Sequence, residues 1–415
     1  MTTSSNLPGP LAGLRVIELA DCIGQWCGKL LADFGADVIK VEPIGGAAER
    51  QVGPFYQDVV DPNRSLYFWH YNTSKRGITL DLEQEQGRGL LRTLVASADI
   101  LLETMPPGQL PALGLTYESL AAQNPGLVMC SLTPFGQDGP WRDYKTADLL
   151  HLAGGGQMAG CGYDVVDDPE QQPIAPGGGN GWHMGSHYAY IAIMSALFHR
   201  DMTGEGQYLD VSVHEACTLT TEAHVPTYIY TGQVVQRQTG RHASARPTAP
   251  TQLPTADGGW VNTGPVPPQR FQSVVAWMDS YGKAGDLTDP KYLDPQVQQE
   301  EQSKIGEQMK VLMASITVDE GFNGAQRAGL PWGGVRSTDD LLDDEHFRVR
   351  GFFPEVEHPE LGKDFTYPGA AALFSRSPWR IYRRAPLIAE HNAEVYAEIG
   401  VDDAALARLQ SAGVV

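Results

Sequence analysis

The chain has 415 residues, and its 30 Lys and Arg against 50 Asp and Glu leave a formal charge of −20 with His neutral. With 42% hydrophobic and 19% charged residues it does not carry the composition of a disordered chain, and it is longer than the ~250–300 residues that one core usually fills. A field of that sign repels nucleic acid and anionic lipid, so any polyanionic ligand has to be met by a local group of cations.

In chain order, MTTSSNLPGP shows no basic segment leading into an apolar stretch, so no secretory signal is expected. Leu14–Ala20 reads as a strand, Trp26–Phe34 as a helix closed by Gly35, and Asp37–Glu42 as a second strand. The alternating segment Gly77–Leu82 is strand-like. A helix over Glu83–Ser97 leads into Asp99–Glu103, and one over Tyr117–Gln123 leads into Gly126–Leu132. Strands and helices alternating at this spacing predict a parallel, doubly wound α/β sheet, with ligands on the loops after Ala20, Glu42, Glu103 and Leu132. A helix over Ser186–Arg200 and a strand over Gln207–Val213 follow. The longest strongly apolar run, Tyr190–Phe198, is nine residues, well short of the ~20 that span a bilayer. From about residue 225 the chain turns Thr-, Pro- and Gln-rich, which marks a second lobe. That lobe carries helices near Gln269–Tyr281 and Asp294–Ser315. After Gly329-Leu330-Pro331 the chain returns, with Phe352–Glu357 and His391–Gly400 closing the first lobe.

The motifs exclude more than they assign. Gly24-Gln25-Trp26-Cys27-Gly28-Lys29 lacks the spacing and the hydroxyl of a phosphate loop, with Leu30 in the hydroxyl's place. Glu42 ends the second strand where a ribose-binding acid would stand, but the first turn lacks Gly-x-Gly-x-x-Gly, which argues against a nicotinamide or flavin site. No Gly-x-Ser-x-Gly elbow exists. His183 and His187 lie at i, i+4 without an accompanying carboxylate and read as satisfied histidines, so no metal is expected. Cys22, Cys27, Cys130, Cys161 and Cys217 have no zinc or redox spacing and point to a reduced, cytoplasmic setting. Lys75 and Arg76, two cations before a strand, could hold phosphates or simply face solvent, and Lys145 is open in the same way. Asp148 could cap a helix or do chemistry.

Read together, PLAGLRVIELA, LLADFGADVIKVEP, NTSKRGITLDL, ADILLETMPPG, NPGLVMCSLTPFGQDGP, HRDMTGEGQYLDVSVHEA, AGLPWGGV and APLIAEHNAEVYAEIG closely resemble the family III CoA-transferases, the family named for carnitine and bile-acid CoA transfer. The likeness runs in register along nearly the whole chain and is weakest over about 225–325. It implies a Rossmann-like large domain built from residues 1–224 and 330–415, a smaller α+β domain over 225–329, and two subunits interlocked like links. It implies coenzyme A thioesters as substrates with no tightly bound cofactor, and a covalent route in which an aspartate takes the acyl group and then CoA. On matching positions it makes Lys75, Arg76 and Lys145 the CoA-contacting cations and places Thr104 and Met105 in the loop bordering the nucleotide.

The departures from the family pattern are as informative. The nucleophilic aspartate of typical members precedes the helix matching Ser186–Arg200, whereas Ala175–Gly185 contains no carboxylate, and Gly179, Asn180, Gly181 and Trp182 occupy its neighbourhood. Asn180 is a neutral amide and cannot replace it. The glycine-rich lid is replaced by Ala243-Ser244-Ala245-Arg246-Pro247-Thr248, and Pro43 and Ala112 stand where some members place CoA-binding arginines. The leading expectation is a non-nucleophilic subunit of a heteromeric CoA-transferase, partnered by a homologous aspartate-bearing chain. It resembles the aspartate-lacking subunit of succinyl-CoA:benzylsuccinate CoA-transferases, which move CoA to an aromatic succinate. The alternatives are a catalytic homodimer using Asp148, Asp164 or Asp168, a non-enzymatic CoA-binding scaffold, and an acyl-CoA racemase, the last disfavoured because Ala147 stands at the racemase histidine.

Overall fold

The computed structural model describes residues 7–164, 170 and 172–415, so the candidate Asp168 lies outside the described residues. The chain forms two compact units. The larger comprises the described residues of Met1–Gln157, Ala175–Glu222 and Glu345–Val415, and the smaller those of Met158–Ile174 and Ala223–Asp344.

The large unit is built on β1 (Arg15–Leu19), α1 (Gln25–Asp33), β2 (Asp37–Glu42), α2 (Leu66–Tyr71), β3 (Arg76–Thr79), α3 (Glu85–Ala96) and β4 (Ile100–Glu103). It continues through α4 (Gln109–Ala112), α5 (Tyr117–Ala121), β5 (Val128–Thr133), α6 (Asp148–Gly154), α7 (Asn180–Thr203), β6 (Gln207–Ser212) and α8 (Val213–Leu219). The six strands form one parallel sheet in the order β3-β2-β1-β4-β5-β6. Strands covered on both faces read as near-continuous apolar runs, which is why β1, β2, β4 and β5 were visible in the sequence. Ile17, Ile39, Leu101 and Met129 face one layer with Leu91 and Leu94 of α3. Val16, Val38, Leu102 and Cys130 face the other with Leu31 of α1 and Ile193 of α7. The expected C-terminal return is present: Val395, Tyr396, Leu406, Leu409 and Val414 fill the first layer.

The expected elements lie within a few residues of those observed, apart from α7, which starts at Asn180 instead of Ser186. Gly179 enters it with φ +70° and Gly204 closes it with φ +80°, a left-handed turn at each end that suits glycine. The chain then passes close beside the segment that enters β5, where a Cβ at Gly206 would overlap the Leu127 carbonyl.

The smaller unit pairs short antiparallel strands, Gln252–Pro254, Trp260–Asn262 and Gly333–Gly334, with helices at Phe271–Ser280, Gln302–Met313 and Val318–Arg327 around Val261, Trp277, Met278, Tyr292 and Met313. Its bounds differ from the expected 225–329 at both ends. Gly333 and Gly334 pair with Asn262 and Val261, which keeps the chain in this unit beyond residue 330. Asp164 pairs with Arg241 at 3.3 Å and Gly162 bridges Pro173, which draws in the described residues of Met158–Ile174. The segment matching the family's lid is also tied down: Arg241–Ser244 pairs with Gln236–Gln238, and the Thr248 N–H donates to Gln238 at 2.9 Å.

Candidate functional site

In a sheet of this order the crevice lies at the carboxyl ends of the neighbours β1 and β4, where the connections that leave them turn to opposite faces. The two loops that line it are stitched together. The Asp21 N–H donates to the Thr104 hydroxyl at 2.9 Å, and that hydroxyl donates to Asp21 Oδ1 at 2.8 Å. Thr104 is therefore buried as the bridge between them, while Met105 beside it stays half-buried.

Lys75 and Arg76 do not present free cations. The Lys75 ammonium is fully buried against Glu18 at 2.8 Å and donates to the Gln25 carbonyl and Asn72 Oδ1 at 3.1 and 3.0 Å. Burial draws its pKa down to about 8, with Glu18 pulling the other way. Arg76 opens β3 and binds Asp37, Glu394 and Glu398. The family resemblance makes both CoA-contacting cations, but here both are held by carboxylates of other elements: Glu18 of β1 for Lys75, and Asp37 of β2 with Glu394 and Glu398 near the C-terminus for Arg76. Glu42 is likewise committed: Arg50 grips both its oxygens, at 2.6 and 2.7 Å, and both side chains are buried. Lys145, in contrast, is exposed.

A second cluster lies at the head of α7. Asp148 is the first residue of α6, yet its Oδ1 accepts from the N–H groups of Gly181 at 2.8 Å and Trp182 at 3.2 Å. It thus caps the long helix rather than its own, satisfying two of the donors that a helix start leaves open. His183 Nε2 meets the Tyr71 hydroxyl at 2.8 Å, and the Trp26 indole N–H donates to His187 Nε2 at 3.1 Å. Both histidines have partners, and burial pulls both below the ordinary range, with the Asp148 charge opposing that at His183. His151, held by Thr146 at 2.8 Å and set edge-on to Trp182, is pushed down to about 4 by burial and then by His214, so it is neutral. A trio of possible metal ligands, Asp21, Cys22 and Glu49, lies close together. Burial first, then the Asp21 and Glu49 charges, push the Cys22 thiol up to about 12, so it keeps its proton.

Residues 11–392 match the model of CoA-transferase family III. The chain is a family III CoA-transferase. It is 32% identical over 417 residues to a succinyl-CoA–D-citramalate CoA-transferase of Chloroflexus aurantiacus, covering 100% of both chains. It is 32% identical over 392 residues to the BbsE subunit of the succinyl-CoA:(R)-benzylsuccinate CoA-transferase of Thauera aromatica, covering 93% of each. Among solved structures it resembles a CaiB/BaiF family protein from Brucella suis, with TM-score 0.79 and 29% identity over 94% of this chain and 100% of that one.

In this family III CoA-transferase the structure brings Thr104 and Met105 to the switch point and Asp148 to the head of α7, while Lys75 and Arg76 serve inside the fold. Asp164 lies in the other unit, paired with Arg241. Sequence reasoning missed Trp26, Tyr71 and Glu103. Only Glu103 had a local signal, an acid ending the apolar strand ILLE.

Proposed function

We propose that this chain is the non-nucleophilic subunit of a heteromeric CoA-transferase that moves CoA from an acyl-CoA such as succinyl-CoA to a carboxylic acid such as an aromatic succinate, with a homologous partner supplying the aspartate. The observation that carries the reading is the head of α7. Residues Ala175–Gly185 bring no carboxylate there, and the Gly181 and Trp182 amides are already occupied by Asp148. The BbsE likeness supports the substrate class. The apolar face of α7, with Ile191 56% and Phe198 67% exposed, supports association with a second chain of the same fold. We assign CoA contact to Lys145, Thr104 and Met105, and a supporting role to Lys75 and Arg76. Pro43 and Ala112 add no charge, so the partner carries more of the phosphate binding.

The test is co-expression with an aspartate-bearing homologue, followed by assay of CoA transfer from succinyl-CoA to a panel of dicarboxylic acids. A stable mixed complex with activity that neither chain has alone is the expected result. Robust transfer by this chain purified by itself overturns it.

A second reading, a homodimer with Asp148 as nucleophile, draws support from the placement of that carboxylate at the helix end where the nucleophile's neighbourhood lies. Under it, hydroxylamine added with acyl-CoA would trap Asp148. A wild-type chain left unmodified, or an Asp148→Asn variant of unchanged activity, eliminates it.

A further inference from the structure

Glu103 at the end of β4, Met129 and Ser131 within β5 and Tyr208 near the start of β6 line a cavity of about 240 Å3 that the CoA-transfer reading does not use. Its walls are apolar, with Leu110, Leu115 and Met129 beside the rings of Tyr117 and Tyr208, whose centroids are 6.0 Å apart. Its base is polar. Glu103 is 3% exposed and Ser131 1%. Glu103 Oε2 accepts the Met105 N–H at 2.7 Å. The Ser131 hydroxyl lies within reach of both the Glu103 carboxyl and the Tyr208 hydroxyl and favours the ionised form of each, without a hydrogen bond of full geometry to either. A buried hydroxyl whose hydrogen bonding is incomplete, beside a buried carboxyl on the floor of a cavity, can take a polar contact from a ligand.

The charge around it decides the ligand's sign. Burial, then Asp21 from the loop after β1 and Asp210 from β6, raise the Glu103 pKa to about 7, against the Met105 N–H and Ser131. Glu118 lines the wall, and burial keeps Tyr117, Tyr208 and Cys130 protonated. Among the described residues no lysine or arginine lines the cavity. Arg142 packs on Gly108 next to it and lies 3.6 Å from Asp143. An anion would be repelled, whereas a cation would relieve the acid, with its apolar part against the tyrosine rings.

We infer that this cavity is a site for a small organic cation, an ammonium or amidinium group on a flat apolar body, with Glu103 as counter-charge and Ser131 as second polar contact. The experiment is calorimetric titration of the protein in its purified assembly with benzylamine, and with benzyl alcohol as the uncharged probe of like shape. Benzylamine affinity is expected to rise roughly tenfold from about pH 6 to about pH 8 as the carboxyl ionises. Glu103→Gln, which replaces a strained acid by a neutral isostere, is expected to fold, to weaken binding at least tenfold and to abolish the pH dependence; Ser131→Ala weakens it less. Absence of binding, equal affinity for benzyl alcohol, or a pH-independent wild-type affinity overturns the inference. The pH profile of the wild-type protein keeps it testable if a variant does not fold.

Discussion

At the scale of single residues, the acidic chain uses its cations inside as much as outside. Removing one partner of a buried ion pair leaves an uncompensated charge, which costs about 3–5 kcal/mol. Lys75→Ala strips Glu18 of one of its two lysines but leaves Lys40 at 3.1 Å, so it is expected to lower stability by less, about 1–3 kcal/mol, in a urea titration, whereas Lys145→Ala, on the exposed surface, leaves it unchanged. Glu103 behaves in the opposite sense. Its folded pKa of about 7 exceeds the ordinary 4.5, so between those values the folded state binds a proton that the unfolded state has lost. Stability therefore falls as pH rises from 4.5 through 7, by about 3 kcal/mol in all. Glu103→Gln removes that slope, and its melting temperature is expected to exceed the wild type's at alkaline pH and to match it at pH 4.5.

At the scale of elements, α7 depends on a cap from 33 residues away. Asp148→Ala leaves the Gly181 and Trp182 amides without their acceptor and is expected to cost about 1–2 kcal/mol, while Asp148→Asn, which keeps an acceptor, loses less. Chemical denaturation of the two variants side by side checks the order; equal losses would show that the charge, not the cap, matters. Gly204→Ala, at φ +80°, is expected to cost about 1 kcal/mol for strain in the left-handed turn. The start of α7 departs from the expected Ser186 because Gly-Asn-Gly-Trp looks like a loop by local propensity, while the carboxylate that caps it is remote in sequence. The strands were read correctly for the converse reason, since burial on both faces writes itself into consecutive apolar residues.

At the scale of the whole molecule, the exposed apolar residues of α7 should matter for assembly and not for the fold of the chain itself. Ile191→Glu with Phe198→Glu is expected to abolish co-purification with an aspartate-bearing homologue while circular dichroism stays unchanged. Retention of the mixed complex would place the interface elsewhere. The likeness of motifs in register sufficed for the family, because the sheet, the C-terminal return and the signature loops are each local segments whose order is preserved.

By itself the sequence determined the parallel α/β sheet and the family, both of which are properties of contiguous residues. Tertiary structure alone decided which charges are free. Lys75 meets Glu18 across 57 residues and Arg76 meets Glu394 across 318, and no local pattern records such partners. Coulombic pairing and desolvation depend on distance in space, so whether a basic pair is a ligand site or a buried strut is settled only when the sheet brings its strands together. The same holds for Glu103, an ordinary strand-end acid in the sequence, which becomes a buried carboxyl, with no cation partner among the described residues, only when the sheet closes around it.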